Sequence, residues 1–172
     1  MIGMSQGLPC GRDGATMEPS RADSEGPQMP TVLVVYYSGT GNTRAMAEAV
    51  AAGAREARAE AVLKSAGEAS VDDLVAADAV AFGSPTYFGY MAGVLKALFD
   101  EAWPSRERMV NKPFAAFASG GGGQGKAVRS IEEVGASCRL RKVSPSVAVT
   151  GAPTEDQKQA CRKLGAALAN AV

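Results

Sequence analysis

Histidine is absent from all 172 residues. That removes the side chain that titrates nearest neutral pH and excludes Ser-His and Cys-His nucleophilic pairs. An enzyme built from this chain is expected to leave its chemistry to a cofactor, and no residue is singled out as a catalytic acid, base or nucleophile. Cysteine is scarce as well. Cys10, Cys138 and Cys161 are odd in number and contain no CxxC pair, so neither a disulfide framework nor a zinc site is expected, and no other metal site either. Sparse, unpaired thiols point to a reducing, cytoplasmic compartment. No run of 18 apolar residues occurs, which argues against a membrane span, and the first residues lack the unbroken apolar core of a secretory signal. Charge of one sign is lacking too: the formal net charge is zero, and residues 30–172 carry 16 Lys and Arg against 14 Asp and Glu. Neither a nucleic-acid nor a membrane-surface partner is expected from that balance.

Apolar residues make up 46% of the chain and charged residues 21%, enough for one domain with a substantial core. Residues 1–29 are rich in Gly, Ser, Pro and charge and show no apolar period. They are read as a disordered extension in front of a domain at 30–172. From there apolar runs alternate with amphipathic segments, the pattern of βαβ units around a buried parallel sheet. Strands are expected at 31–37, 60–64, 78–83, 113–118 and 143–149. Helical spacing places Met46, Ala49, Val50 and Gly53 on one face. It does the same for Val94, Leu95, Leu98 and Ala102, for Val128, Ile131, Val134 and Cys138, and for Cys161, Leu164 and Leu168. On these faces Cys138 and Cys161 are expected to be inert core thiols. The acidic pairs Asp72-Asp73 and Glu132-Glu133 are read as solvated helix positions.

Three loops that follow expected strands have unusual compositions, and parallel strands would bring all three to one sheet edge. Ser38-Gly39-Thr40-Gly41-Asn42-Thr43 offers three hydroxyls, an amide and glycine-freed backbone N–H groups ahead of a helix, with Thr43 expected as its N-cap. A phosphate there would meet the positive end of the helix and charge-assisted hydrogen bonds of about 1.5–3 kcal/mol each. Arg44 replaces the third glycine of GxGxxG, which disfavours a dinucleotide fold. Gly83-Ser84-Pro85-Thr86-Tyr87-Phe88-Gly89-Tyr90 gathers three aromatics on a stiff turn, suited to stacking on a flat heterocycle. Ser119-Gly120-Gly121-Gly122-Gly123-Gln124-Gly125-Lys126 nearly spells the triphosphate loop GxxxxGK[ST], but Ala127 removes the hydroxyl that holds Mg²⁺. A glycine-only loop is better read as backbone that approaches a ring closely.

Taken together, SGTGNT, GSPTYFG and SGGGGQG resemble the flavodoxin-like family, whose members bind flavin mononucleotide (FMN) with three such loops. The likeness covers essentially residues 30–170. It implies a three-layer α/β sandwich around a five-stranded parallel sheet in the order 2-1-3-4-5, of the short-chain variety. It also implies that Ser38, Gly39, Thr40, Gly41, Asn42 and Thr43 hold the FMN phosphate. Pro85, Thr86, Tyr87, Phe88 and Gly89, with Ser119, Gly120, Gly121, Gly122, Gly123 and Gln124, would flank the isoalloxazine. Within the family the GSPTYFG loop and Met91-Ala92-Gly93 resemble the Trp repressor-binding-protein type of NAD(P)H:quinone oxidoreductase more than dedicated electron carriers. The lack of an acidic docking face agrees with that choice. Two departures stand out: no His follows the glycine-rich loop, and the segment from Asp100 to Lys112 is shorter than in those reductases.

The resemblance therefore implies NAD(P)H as electron donor and a quinone or similar small acceptor, with a one-electron carrier serving redox-protein partners as the rival. It implies assembly as a homodimer or homotetramer. On this reading Tyr90 and Trp103 line an acceptor pocket, and Lys126 lies near the polar edge of the ring.

Overall fold

A computed structural model describes residues 29–172; all but the last residue of the expected extension at 1–29, Cys10 included, lies outside them. The chain alternates β1 (Thr31–Tyr36), α1 (Asn42–Glu56), β2 (Glu60–Ser65), α2 (Val71–Ala76), β3 (Ala79–Pro85) and α3 (Gly93–Ala102). A 3₁₀ segment (Trp103–Met109) leads into β4 (Pro113–Gly120), α4 (Gln124–Ser137), β5 (Arg141–Lys142), β6 (Val147–Thr150) and α5 (Glu155–Ala169). All strand pairs are parallel, in the order β2-β1-β3-β4-β5, with β6 also pairing with β4. The order 2-1-3-4-5 is thus the one expected from the resemblance.

The alternation in β1 shows how the layers form. Val32 and Val34 face the side packed by α1 and α5, with Met46, Val50, Leu164 and Leu168. Leu33 and Val35 face the opposite side, with Leu74, Leu95, Phe99 and Ile131. A strand buried on both faces must be apolar throughout, which is why TVLVVY shows no polar alternation. Each such side chain contributes about 1.5–3 kcal/mol on burial. Cys138 and Cys161 are buried in these two layers; burial pushes the Cys161 thiol up to about 12 and raises that of Cys138 as well. Both stay protonated at neutral pH, in keeping with inert core residues.

Three expectations need correction. The strand expected at 143–149 starts only at Val147, in β6, and the two-residue β5 lies just before the expected run; residues 143–146, with Ser144 and Pro145, leave the ladder with β4 between them, and proline has no N–H to give to it. Val94 is 42% exposed rather than core, since α3 turns that position outward at its first turn. Asp73 and Glu132 are structural partners, not solvated charges. Glu132 meets Lys142 Nζ and Ser146 Oγ, each at 2.6 Å.

Asp73 closes a capping box with Ser70 at the start of α2 and accepts from Lys64 Nζ at 2.7 Å. The Lys64 bond foremost, then the Ser70 N–H and hydroxyl, hold its carboxyl down to about 2, from 3.8. A depressed carboxylate pKa adds stability that is present above the unfolded value and lost as pH falls through the folded one. Acid unfolding is therefore expected to include a component between about pH 4 and pH 2 that Asp73→Asn removes, read by circular dichroism across an acid titration. An unchanged acid limb in the variant would refute this assignment.

Candidate functional site

Parallel strands all end on one side, so the loops after β1, β3 and β4 meet at the carboxyl edge of the sheet, where the order reverses between β1 and β3. In the first loop Ser38 Oγ accepts from Gly41 N at 3.0 Å. Gly41, at φ 91°, is the N-cap of α1, and no side chain caps the first turn. A left-handed N-cap aims the first backbone N–H groups into the loop, and only glycine takes that φ without strain. By contrast α2 and α5 close their first turns with capping boxes from Ser70 and Thr154. Helix α1 therefore keeps uncommitted donors at its positive end, together with the Thr40 hydroxyl and the Asn42 amide.

Thr43 is not the N-cap. Because the helix starts at Asn42, Thr43 lies inside the first turn, 1% exposed, and its Oγ1 hydrogen-bonds Ser119 Oγ at 2.8 Å. That bond ties the first loop to the third across 76 residues. Arg44 pairs with Glu48 at 2.9 Å and borders a cleft of about 540 Å³ on the β2 side of the loop, with Tyr36, Tyr37 and Val94.

The second loop is a hairpin. Tyr87 and Tyr90 exchange backbone hydrogen bonds of 3.0 and 2.9 Å, and Phe88 (φ 53°) and Gly89 (φ 75°) form its left-handed tip. Two successive left-handed residues are what the tight turn requires; Phe88 holds one of them as a strained non-glycine residue, its ring fully exposed. Tyr87 folds back over the first loop. Its ring meets Tyr37 edge-on at 6.3 Å between centroids, and its hydroxyl is 2.8 Å from where a Cβ on Gly39 would stand. A side chain at Gly39 would therefore push the Tyr87 hydroxyl aside. Thr86 N donates to Ser119 O at 2.8 Å, joining the second loop to the third.

In the third loop Gly123, at φ 70°, is a second left-handed N-cap without a side-chain cap, opening α4. Gln124 donates to Thr150 Oγ1, and Gly151 N to Gly120 O at 2.9 Å. The turn after β6 therefore forms a fourth wall that the sequence reading missed; its only local signal is Gly151 and Pro153 directly after an apolar run. Ala127 is fully buried, and among the described residues no group of three His, Cys, Asp or Glu side chains converges. The near-match to a triphosphate loop has no metal-holding partner there.

Two expected members lie elsewhere. Trp103 follows the last residue of α3, about 15 Å along the helix from the site, and it stacks with Arg106 at 4.3 Å. Lys126 packs its stem against Gly89 and lines a side cavity with Tyr90 and Arg129.

Among the described residues only three buried side-chain polar atoms lack a partner, and two of them, Thr86 Oγ1 and Gln124 Oε1, belong to the second and third loops. Buried polar atoms without partners are costly, and a ring with a polar edge between those loops would satisfy them. Free N–H donors and hydroxyls around one helix start, and an orphaned hydroxyl and amide oxygen in the two neighbouring loops, are complementary to a phosphate tail and a flat heterocycle with a polar edge.

The fold and these loops define an α/β protein of the doubly wound class, with a loop cluster at its switch point whose donors and rings are complementary to a phosphorylated, ring-bearing molecule. Residues 34–165 match the Flavodoxin family, and the chain belongs to that family. It is 35% identical over 162 residues to a flavodoxin from Aquifex aeolicus, covering 82% of this chain and 86% of that protein. It is 38% identical over 132 residues to an NAD(P)H dehydrogenase (quinone) from Paracoccus denitrificans, but spans only 63% of that protein's length. Among solved structures, a flavodoxin, WrbA-like protein from Agrobacterium tumefaciens superposes with a TM-score of 0.70 at 28% identity, covering 82% of this chain and 96% of that one.

Proposed function

We propose that residues 30–172 form an FMN-binding oxidoreductase domain that takes electrons from a reduced nicotinamide and passes them to a quinone or similar small acceptor. The observation that carries the cofactor reading is an uncapped, glycine-started α1 at the same sheet edge as the orphaned Thr86 and Gln124 atoms, the three loops being joined through Ser119. Ser38, Thr40, Asn42, Thr43 and the first-turn N–H groups of α1 bind the phosphate, with the Thr43 hydroxyl also braced against Ser119. Gly39 and Gly41 let the backbone close around it. Pro85 to Gly89 wall one side of the ring, Tyr87 and Phe88 being the aromatic surfaces, and Ser119 to Gln124 wall the other with backbone. Bound FMN supplies the hydride and electron acceptance that no side chain of this chain offers.

The reductase reading is supported by the local likeness to quinone dehydrogenases and by the near-balanced charge. A second reading, a one-electron carrier between redox proteins, is favoured by the match to the Aquifex flavodoxin over most of both chains. A cytoplasmic site of action suits both, and no described helix is long and apolar enough to cross a membrane.

Purified full-length chain mixed with FMN is expected to take up one flavin, with a rise in Tm, and then to oxidise NADH or NADPH with benzoquinone present. Failure to take up flavin refutes the cofactor assignment. Uptake with no nicotinamide oxidation refutes the reductase and leaves the carrier.

A further inference from the structure

One cavity is used by none of these roles. It is an open depression of about 340 Å³ behind the hairpin tip, lined by Gly89, Tyr90, Lys126, Arg129, Ser130 and Glu133. The four α4 residues follow helical spacing and share one face, extending about 10 Å along the axis. Lys126 and Arg129 are exposed, and neither enters an ion pair among the described residues. The neighbouring Glu132 is committed to Lys142. Lys126 sits in the first turn of α4, where the positive end of a helix disfavours uncompensated positive charge, and Arg129 adds a second positive charge one turn on. An anion in the cavity relieves that repulsion.

The other walls narrow the choice of anion. Glu133 stands at the far end of the same face, so a simple anion gains from Lys126 and Arg129 but is repelled by the carboxylate. A ligand with phosphates at one end and hydroxyl donors at the other uses all three. Tyr90, 42% exposed, offers a ring to a flat base. Ser130 is already committed, donating to Ala127 O and accepting from Met91 N, so it shapes the wall. The volume suits about half of a dinucleotide, and the adjoining Phe88 borders the ring groove, within reach of the remaining half.

We propose that this cavity binds the adenosine diphosphate portion of the reduced nicotinamide dinucleotide. Lys126 and Arg129 hold the diphosphate, Glu133 accepts from the ribose hydroxyls, and Tyr90 covers the adenine. The assignment rests on the reductase reading and deepens it. It also predicts NADH in preference to NADPH, because a 2′-phosphate would confront Glu133.

The probe is ADP, titrated by calorimetry into the FMN-loaded full chain. One-site binding is expected, weakened at least tenfold in the double variant Lys126→Ala/Arg129→Ala and largely kept in Lys126→Arg/Arg129→Lys. Unchanged FMN affinity and circular dichroism establish that the variants fold. NADH is expected to displace ADP, and Glu133→Gln is expected to narrow the preference for ADP over its 2′-phosphorylated form. No ADP binding, binding indifferent to the double variant, or ADP that NADH cannot displace overturns the proposal. Absent NADH turnover in flavin-loaded protein counts against the reductase alone, since ADP binding is read independently.

Discussion

Gly165→Ala is expected to destabilise the chain by at least about 3 kcal/mol, or to prevent folding. A Cβ on Gly165 would stand 1.9 Å from Val50 O and 2.9 Å from Ala54 N, both backbone atoms of α1. Its counterpart Gly53 faces Arg162 O at the same 1.9 Å. The two glycines let α1 and α5 touch backbone to backbone. Overpacking is usually relieved by a side chain changing rotamer, but a carbonyl within a helix cannot turn away. Helix α5 must instead lift and open the layer that contains Met46, Val50 and Leu164. Gly125→Ala is the control: it lies in α4 with nothing within 4 Å of the new Cβ. That change is expected to stabilise by about 0.5–1 kcal/mol through helix propensity. Urea unfolding midpoints measure both, and a Gly165→Ala midpoint equal to that of the parent would sink the claim that glycine sets the helix spacing.

The largest effect on the cofactor is expected from Thr43→Val, which preserves shape and deletes one hydroxyl. Thr43 Oγ1 and Ser119 Oγ share a buried hydrogen bond in which either can donate, so Thr43 can give its proton to a phosphate while accepting from Ser119. Losing a hydrogen bond to a charged group costs about 1.5–3 kcal/mol, which corresponds to a Kd for FMN raised about ten- to hundredfold. Ser119 is also left without its partner, so the flavin-free chain is expected to lose about 1 kcal/mol of stability. Thr43→Ser is expected to retain most of the affinity. Riboflavin, which has no phosphate, is expected to bind weakly and with the same Kd in parent and Thr43→Val. Quenching of flavin fluorescence reads all of these, and an equal loss for riboflavin and FMN would show that Thr43 acts on the ring side or on folding alone.

Much of this architecture was readable along the chain because its signals are local. Continuous apolar runs mark strands buried on two faces, helical spacing marks the faces of α1, α4 and α5, and glycine with hydroxyls between them marks the turns. Those patterns gave the α/β class and the three loops, while the order of the strands followed from the family resemblance. The exceptions were local too: Pro145 broke a run that hydropathy alone reads as one strand, and the six-residue α2 is too short to show an apolar face.

The sequence by itself determined the strand–loop–helix units and the residue types each loop presents, since hydrophobic period and turn chemistry act over a few neighbours. Only the tertiary structure decided which loops touch and which way their side chains point. Starting α1 at Asn42 instead of after Thr43 turned Thr43 inward to Ser119, and β6 beside β4 brought Thr150 and Gly151 to the site. The same packing sent Trp103 to the opposite edge and Lys126 into a side cavity. Helix phase and strand adjacency are set by packing between segments far apart in the chain, and a register shift of one or two residues changes a side chain's surroundings without changing the local pattern that encodes it.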